Sequence, residues 1–429
     1  MQIHRLLLLS LALAGCGSMG KASRPVAELP PEALAHLRAR DHYATPTTDG
    51  KPDKAHAGLV EAVRRGLPAG YQPLVQYDPA LDAAAAVLAE TYARHSRGPT
   101  RRVSDWVVAQ SGETGVYLRG HLDWAQGGRD PRSRAVDGFS DFARKLVLSR
   151  APHAFGVARV EVWPGRFGAA VVLIQRPISV EPLPRSLPAG RPTPLRGRLN
   201  ILATDLRLQL SGPTPVSVPL NVQGDAFEVV IPALPAGEYM MEITGRRATS
   251  NPDELENWRV SLLLLPLAVG QPPARRPPAR LDLPFDDDLT DRERLRTEIL
   301  AWFNGLRARS GLAPLELHAG LSAMLTTRSE AAAASGTSEP GTTLEAQARG
   351  LGILPGHRFR ETWGRTSWLS DRLERLAGKP RLLELMNAPE ARYLGVDLEV
   401  TPAEGRGRPW FRYRLAVAGQ PAGADASSD

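Results

Sequence analysis

Residues 394–400 read Leu-Gly-Val-Asp-Leu-Glu-Val, and residues 411–417 read Phe-Arg-Tyr-Arg-Leu-Ala-Val. In both stretches apolar side chains recur at every second residue, which is the period of a β-strand with one buried face. The Gly-rich segment Pro402–Pro409 between them predicts a hairpin. Upstream of the hairpin, the apolar residues recur every three or four residues, as in helices. Residues 289–420 therefore predict an α/β module in which helices come first and antiparallel strands last.

The helices of this module have recognisable ends in the sequence. The string Thr290-x-x-Glu293 is a capping box that predicts the start of the first helix. A second helix is predicted over Ala319–Ser335, where Gly336 follows. A second capping box, Thr342-x-x-Glu345, predicts a short helix that ends at Gly350.

Part of this pattern recurs near the N-terminus. Gly70-x-x-Pro73-Leu74 matches Gly311-x-x-Pro314-Leu315, and residues 156–162, Gly-Val-Ala-Arg-Val-Glu-Val, match residues 395–400 with one gap. The two matches lie 83 residues apart in the first copy and 81 in the second. Equal spacing indicates a duplicated α/β module, and chance recurrence of two common dipeptides is the alternative.

The middle of the chain has an all-β pattern. Its strand candidates are separated by turns such as Gln223-Gly224-Asp225. Five short strands at this spacing predict a small sandwich, immunoglobulin-like in the broad sense. The candidates are Leu199–Leu210, Val216–Val222, Ala226–Ile231, Tyr239–Thr244 and Trp258–Leu265.

The N-terminus has the pattern of a lipoprotein signal. A short basic region precedes about ten apolar residues, which suits a signal peptide and is too short to span a bilayer. The run ends in Leu13-Ala14-Gly15-Cys16, which resembles the bacterial lipobox, whose cysteine carries the lipid. Cys16 is the only cysteine, so an internal disulfide or a Cys-zinc site is excluded. A secretory peptide with a chance cysteine is the alternative.

We predict the following organisation from these patterns. The ranges are a signal peptide at 1–15, a tether at 16–55, an N-terminal α/β module at 56–185, a β-sandwich at 186–272, a Pro/Arg-rich linker at 273–288, a C-terminal α/β module at 289–420 and a tail at 421–429.

The 53 basic and 46 acidic residues are spread along the chain, and no basic run exceeds two residues. A nucleic-acid surface needs clustered basic charge, so nucleic acid is not an expected partner.

The C-terminal module resembles a known family. The string Asn304-x-x-Arg307-x-x-x-Gly311-Leu312-x-Pro314-Leu315 is similar to the opening of CAP-superfamily (SCP-like) domains. Leu394-Gly395-Val396-Asp397-Leu398 resembles that family's Gly-Val-Gly strand. The resemblance covers about residues 290–418 and implies a three-layer α-β-α sandwich. Because the N-terminal module is similar only in parts, the expected fold is two CAP-like α/β copies, the first degenerate, separated by the all-β sandwich.

The resemblance also implies a site to look for. CAP domains often hold a divalent metal with two histidines and two acidic residues. Here Ser335–Gly341 contains no histidine, and leucines stand where the second histidine belongs. Glu361 matches one acidic position, His357 lies near it, and His95 falls roughly where the first histidine of the N-terminal copy would be. These three are the candidate cleft residues, and no metal ligand set, catalytic residue or cofactor is predicted.

The sequence therefore predicts a cell-envelope lipoprotein that binds or scaffolds a component such as a lipid or a cell-wall polymer, without catalysis. A metal-dependent hydrolase or peptidase acting on envelope or extracellular polymer is the alternative, against which the missing histidines count. A spacer between membrane and wall is a third hypothesis. Gly17 follows the cysteine, and under the aspartate retention rule of some Gram-negative bacteria this predicts the outer membrane.

Replacement of Cys16 by Ser is expected to release the protein from membranes or to leave the precursor unprocessed, because serine cannot form the thioether to lipid. Membrane fractionation and the apparent size on a gel measure the effect. A Cys16→Ser protein that still fractionates with membranes at wild-type size contradicts lipidation at this residue.

Overall fold

The computed structural model describes most of the chain from Leu29 onward. The described residues are 29–37, 40–45, 49–95, 98–124, 153–163, 166–247, 259–277, 290–309, 312–335, 343–366, 369–370, 372–373, 390–401 and 409–420. The predicted signal peptide, Cys16, part of the linker and the predicted tail lie outside these residues. Among the described residues, no helix is long and apolar enough to cross a membrane.

Helices and strands occur together along the chain, which confirms a mixed α/β protein. The helices are α1 Pro31–Leu34, α2 Ala57–Gly66, α3 Ala80–His95, α4 Arg101–Gln110, α5 Arg292–Arg309, α6 Ala319–Ser335 and α7 Leu344–Gly350. The strands are β1 His42–Tyr43, β2 Gln76–Tyr77, β3 Val116–Trp124, β4 Ala154–Trp163, β5 Arg166–Gln175, β6 Ile178–Val180, β7 Leu183–Pro184, β8 Ser186–Leu187, β9 Thr193–Leu199, β10 Ala203–Ser211, β11 Val216–Pro219, β12 Asn221–Gln223, β13 Ala226–Ile231, β14 Gly237–Arg247, β15 Arg259–Val269, β16 Glu316–Leu317, β17 Arg358–Thr366, β18 Ala391–Thr401 and β19 Trp410–Gly419.

Two four-stranded sheets at opposite ends of the chain share one topology. The N-terminal sheet has the order β2-β4-β5-β3, and the C-terminal sheet has the order β16-β18-β19-β17. In each sheet a two-residue strand pairs in parallel with the first strand of a hairpin. Tyr77 pairs with Phe155 in the first, and Leu317 pairs with Leu394 in the second. The predicted hairpin of residues 394–417 is confirmed.

One glycine in each sheet lets a helix pack directly on the strands. A Cβ atom at Gly156 would clash with the backbone of Leu81 in α3, and one at Gly395 would lie 2.5 Å from Cγ of Leu321 in α6. Both leucines are fully buried. Each glycine directly follows the residue that pairs with the two-residue strand, Phe155 in the first sheet and Leu394 in the second. The helix therefore contacts the sheet at the same position in both modules.

The same register adds a hydrogen bond from the sheet to each helix. The N–H of Val157 donates to Oδ1 of Asp82 at 2.8 Å. The N–H of Val396 donates to Oγ of Ser322 at 3.1 Å. Asp82 and Ser322 each follow directly after the buried leucine of the close contact, so a backbone group that has no ladder partner is satisfied by the helix in both modules.

The register corrects one equivalence that the sequence suggested. The motif match pairs Leu74 with Leu315. Val75, however, lies two residues before the paired strand residue Tyr77, just as Leu315 lies two residues before Leu317, so Val75 corresponds to Leu315. Val75 and Leu315 are both 2% exposed, whereas Leu74 is 62% exposed. The shared Pro-Leu dipeptide is therefore displaced by one residue relative to the fold.

Two facing sheets form the middle of the chain. One has the order β11-β10-β14-β15-β8 and the other the order β12-β13-β9-β6. They enclose a core of leucines, valines and isoleucines. The predicted strand Leu199–Leu210 is wrong, since a break at residues 200–202 separates β9 from β10. The sandwich also begins earlier than the predicted residue 186, because β6 pairs with β9.

The predicted tether is wrong for the described part of its range. Leu29 and Ala33 are buried in the N-terminal core, and β1 pairs with β7. Tyr43 is fully buried, and its hydroxyl donates to the carbonyl of Pro266 in the sandwich at 2.6 Å. Burial of these apolar and aromatic side chains fixes residues from Leu29 onward on the folded body.

Helix ends follow the prediction closely but use neighbouring caps. The bounds of α6 agree with the predicted helix Ala319–Ser335. Asp291, not Thr290, accepts hydrogen bonds from the first turn of α5. Thr343, not Thr342, caps α7 by accepting from the N–H of Ala346 at 3.2 Å.

The sequence patterns did not indicate α2, α4, β3 or β17.

Replacement of Gly395 by Ala is expected to lower the free energy of unfolding by about 1–3 kcal/mol, because the added methyl group overpacks the contact with Leu321. Gly305→Ala is the matched control, since its Cβ would meet nothing and Gly305 lies exposed in α5. That change is expected to stabilise the protein by about 0.5–1 kcal/mol through helix propensity. Chemical unfolding measures both. Equal effects in the same direction contradict the packing argument.

Candidate functional site

The residues that carry the family resemblance hold a loop in place. Oδ1 of Asn304 accepts from the N–H of Leu315 at 2.7 Å, and its Nδ2 donates to the carbonyl of Leu315 at 3.0 Å. The guanidinium of Arg307 is fully buried and donates to the carbonyls of Ala313 at 2.6 Å and Ala391 at 3.1 Å. Burial lowers the pKa of Arg307. The contacts of this motif bind the loop after α5 to the start of β18.

Glu361 lies between two buried arginines in the C-terminal sheet. From β17, its Oε1 accepts from Nη1 of Arg414 at 2.5 Å, and its Oε2 accepts from Nη2 of Arg328 at 3.3 Å. Both arginine side chains are 5% exposed and Glu361 is 14% exposed. Each carboxylate oxygen thus has a guanidinium partner, and the positive charges that surround Glu361 oppose the approach of a cation.

Hydrogen bonds extend this ion pair into a network across α6 and the sheet. Asp397 accepts from the hydroxyls of Thr326 at 2.9 Å and Ser329 at 2.5 Å. Ser329 also accepts from Nε of Arg414 at 3.3 Å. Nη1 of Arg328 donates to Oε1 of Gln347 on α7 at 2.8 Å. Two carboxylates and two guanidiniums therefore balance within one buried network.

The N-terminal sheet has no such network at the equivalent positions. Asp397 pairs with Arg414 across the C-terminal hairpin, and Ala158 pairs with Ala170 at the same place in the N-terminal hairpin. Both alanines belong to the apolar core. The two modules therefore share a backbone topology but not a polar interior.

The structure places the other candidate cleft residues apart from this network. His357, half-buried before β17, has its Nδ1 3.2 Å from the carbonyl of Pro355 and its ring 5.8 Å from that of Tyr393. His95 is exposed at the last residue of α3. His318 caps α6 by accepting from the N–H of Leu321 at 3.0 Å. Within the described ranges, no three His, Cys, Asp or Glu side chains group as a metal site.

A second buried charge cluster lies in the N-terminal module. Nη2 of Arg176 donates to Asp78 and its Nε donates to Oε2 of Glu113 at 3.0 Å. Burial, and then the contact with Asp78, raises the pKa of Glu113 well above its ordinary range. Burial alone would raise the pKa of Asp78 as well, but the hydrogen bond with Glu113 and the charge of Arg176 lower it. These opposite directions favour the protonated form of Glu113 and the ionised form of Asp78.

This cluster borders a cleft of about 1250 Å³ between the N-terminal module and the sandwich. The sheet β12-β13-β9-β6 forms its floor, and Arg176, His153, Gln76 and the exposed Leu74 of the N-terminal module also line it. None of the floor residues was predicted from the sequence to belong to a binding site. The available signal was arginine at every second residue of β9, which places Arg196 and Arg198 on one outward face.

A buried arginine joins the N-terminal module to the sandwich. Arg185 is 1% exposed and donates to Oε1 of Gln110 at 2.6 Å and to the carbonyl of Arg40 at 3.1 Å. Its guanidinium also lies 5.4 Å from the ring centroid of Tyr43. These contacts connect α4, the N-terminal segment and the start of β8.

Comparisons with known proteins add little to this description. No protein-family model matches the chain, and no curated protein matches it. One similar solved structure is that of an outer surface protein from Borrelia burgdorferi, with 14% sequence identity over 31% of this chain and 97% of that chain. Its TM-score is 0.26, and a likeness at that level carries no argument about fold or function.

Replacement of Glu113 by Gln is expected to remove a pH-dependent loss of stability. An unfolded glutamate loses its proton above about pH 4.3, whereas folded Glu113 keeps it, so wild-type stability falls as the pH rises from there. Glutamine cannot ionise and its amide still donates to Asp78. We expect the stability of Glu113→Gln relative to the wild type to rise as the pH increases from about 4 to 8.

Urea unfolding across this pH range measures the difference between the two proteins. Glu228→Gln is the control, because Glu228 is exposed in a surface ion pair. Parallel stability curves for wild type and Glu113→Gln would show that Glu113 ionises normally in the folded protein.

Proposed function

We propose that the protein is a lipid-anchored component of the cell envelope that binds or scaffolds a ligand without catalysis. In this proposal Cys16 carries the lipid, and the folded body displays two CAP-like α/β modules around the sandwich. The partner class is a lipid or a cell-wall component, and the outer membrane of a Gram-negative bacterium is the proposed location.

One observation carries the non-catalytic part of the proposal. Glu361, the acidic residue matched to the family site, has both oxygens bonded to Arg328 and Arg414. A general base needs a lone pair directed at substrate, and a metal ligand needs one directed at the ion. The observed contacts assign these lone pairs to the protein's own cations, and they support a structural role for the carboxylate.

The shared sheet order supports the proposal of a duplicated module. The parallel two-residue strand, the hairpin, the glycine beneath the helix and the hydrogen bond from the next amide occur in both copies. Four shared features at one register are explained most simply by a common ancestor of the two modules. The loss of polar interior residues in the N-terminal copy then fits a module that keeps only its scaffold role.

Titration of the soluble Cys16→Ser protein with zinc tests the non-catalytic proposal. We expect no 1:1 binding in the low-micromolar range, because two guanidiniums flank Glu361 and a tight zinc site needs three or four ligands. Isothermal titration calorimetry is the measurement, with Glu361→Gln as the site variant. Glu399→Gln is the control, since Glu399 is an exposed partner of Arg412.

A stoichiometric zinc site that Glu361→Gln abolishes and Glu399→Gln retains would overturn the proposal in favour of a metal-dependent hydrolase. Thermal unfolding of Glu361→Gln separates loss of fold from loss of binding, because removal of one buried partner is expected to destabilise the protein by about 3–5 kcal/mol.

A further inference from the structure

The floor of the cleft between the N-terminal module and the sandwich has an ordered polar surface. Outward-facing residues of adjacent strands align in two rows across the sheet β12-β13-β9-β6. The first row is Asn221, Glu228, Arg196 and Glu181, and the second is Gln223, Ala226, Arg198 and Ser179. Side chains in such rows are cross-strand neighbours and lie close enough to interact.

The two rows differ in whether a carboxylate of the same row neutralises the positive charge of the arginine. Arg196 pairs with Glu228 at 2.9 Å, and Glu181 adds a second attraction. Arg198 has the uncharged Ala226 and Ser179 as its cross-strand neighbours. The methyl side chain of Ala226 also leaves one side of Arg198 uncovered. The second row therefore presents an exposed guanidinium that no carboxylate of the same row balances.

Polar groups that bind hydroxyls surround this arginine. Nδ2 of Asn200 donates to the carbonyl of Arg176 at 2.9 Å and to Oγ of Ser179 at 2.8 Å, so both side chains are held in place beside Arg198. Gln223 lies at the other end of the row. Amide and hydroxyl side chains each donate and accept, which matches the hydroxyl groups of a sugar.

The N-terminal module supplies apolar contact to the cleft, because Leu74 lines it at 62% exposure. The cleft exceeds the roughly 300–1,000 Å³ of a typical small-molecule site, so it has room for several linked rings. The floor is lined by two arginines and two glutamates, whose formal charges cancel. A floor without excess positive charge does not suit the dense negative charge of nucleic acid phosphates.

We infer that this cleft binds an acidic oligosaccharide, with a sugar carboxylate on Arg198 and ring hydroxyls on Gln223, Ser179 and Asn200. A guanidinium binds a carboxylate through two parallel hydrogen bonds, which fixes the orientation of the sugar. The inference rests on the proposed binding role and gives it a ligand class. It uses residues separate from Glu361, so its failure leaves the zinc test and the non-catalytic proposal standing.

Calorimetric titration of the soluble Cys16→Ser protein with tetragalacturonic acid tests this inference. A neutral galactose tetramer and sodium acetate at equal carboxylate concentration are the comparison probes. We expect the acidic tetramer to bind at least about tenfold more tightly than either, since a charge-assisted hydrogen bond contributes about this much. Binding is also expected to weaken as sodium chloride rises from about 50 to 300 mM.

Arg198→Gln is expected to weaken binding of the acidic tetramer about tenfold. Arg207→Gln is the matched control, since it removes the same charge from an exposed position on β10, in the other sheet of the sandwich, and is expected to change the affinity less than about threefold. Three results would each overturn the inference: no binding of the acidic tetramer at millimolar concentration, equal binding of the neutral tetramer, or equal effects of the two substitutions.

Discussion

Both α/β modules depend on the close approach of one helix to the sheet at a glycine. Gly156 and Gly395 leave no room for a side chain, and this brings Leu81 and Leu321 into direct contact with the strands. Once the helix lies that close, the next amide of the strand reaches a side chain on the helix. The rest of each module, from the parallel two-residue strand to the hairpin, is arranged around this contact.

The two modules use this scaffold for different interiors. The C-terminal copy buries a balanced network of two carboxylates and two arginines, whereas the N-terminal copy places alanines at the corresponding strand pair. Buried charges are tolerated only when each has partners, and the network satisfies this through α6, α7 and three strands. The N-terminal module instead buries Asp78 and Glu113 beside Arg176, which lines the cleft.

Local periodicity was enough to predict some elements but not their partners. Helix α6 and the hairpin of β18 and β19 have clear apolar patterns, and they were found with nearly correct ends. Strand β17 was missed because its inward position holds Glu361, whose burial depends on arginines 33 and 53 residues away. The sequence offered Glu361 as a cleft residue beside His357, and its contacts with Arg328 and Arg414 were not predictable from it. The cleft was not predictable, because it forms between segments whose contact no local pattern encodes.

If Cys16 carries the proposed lipid, the packing of Leu29, Ala33 and Tyr43 on the body limits how far the protein reaches from the membrane. Leu29 lies 13 positions after Cys16, and even a fully extended chain over that interval spans only about 45 Å. Under the proposed lipid anchor, Leu29 therefore stays within about 45 Å of the bilayer. The body would diffuse in two dimensions along the membrane, and its reach would be that distance plus its own length.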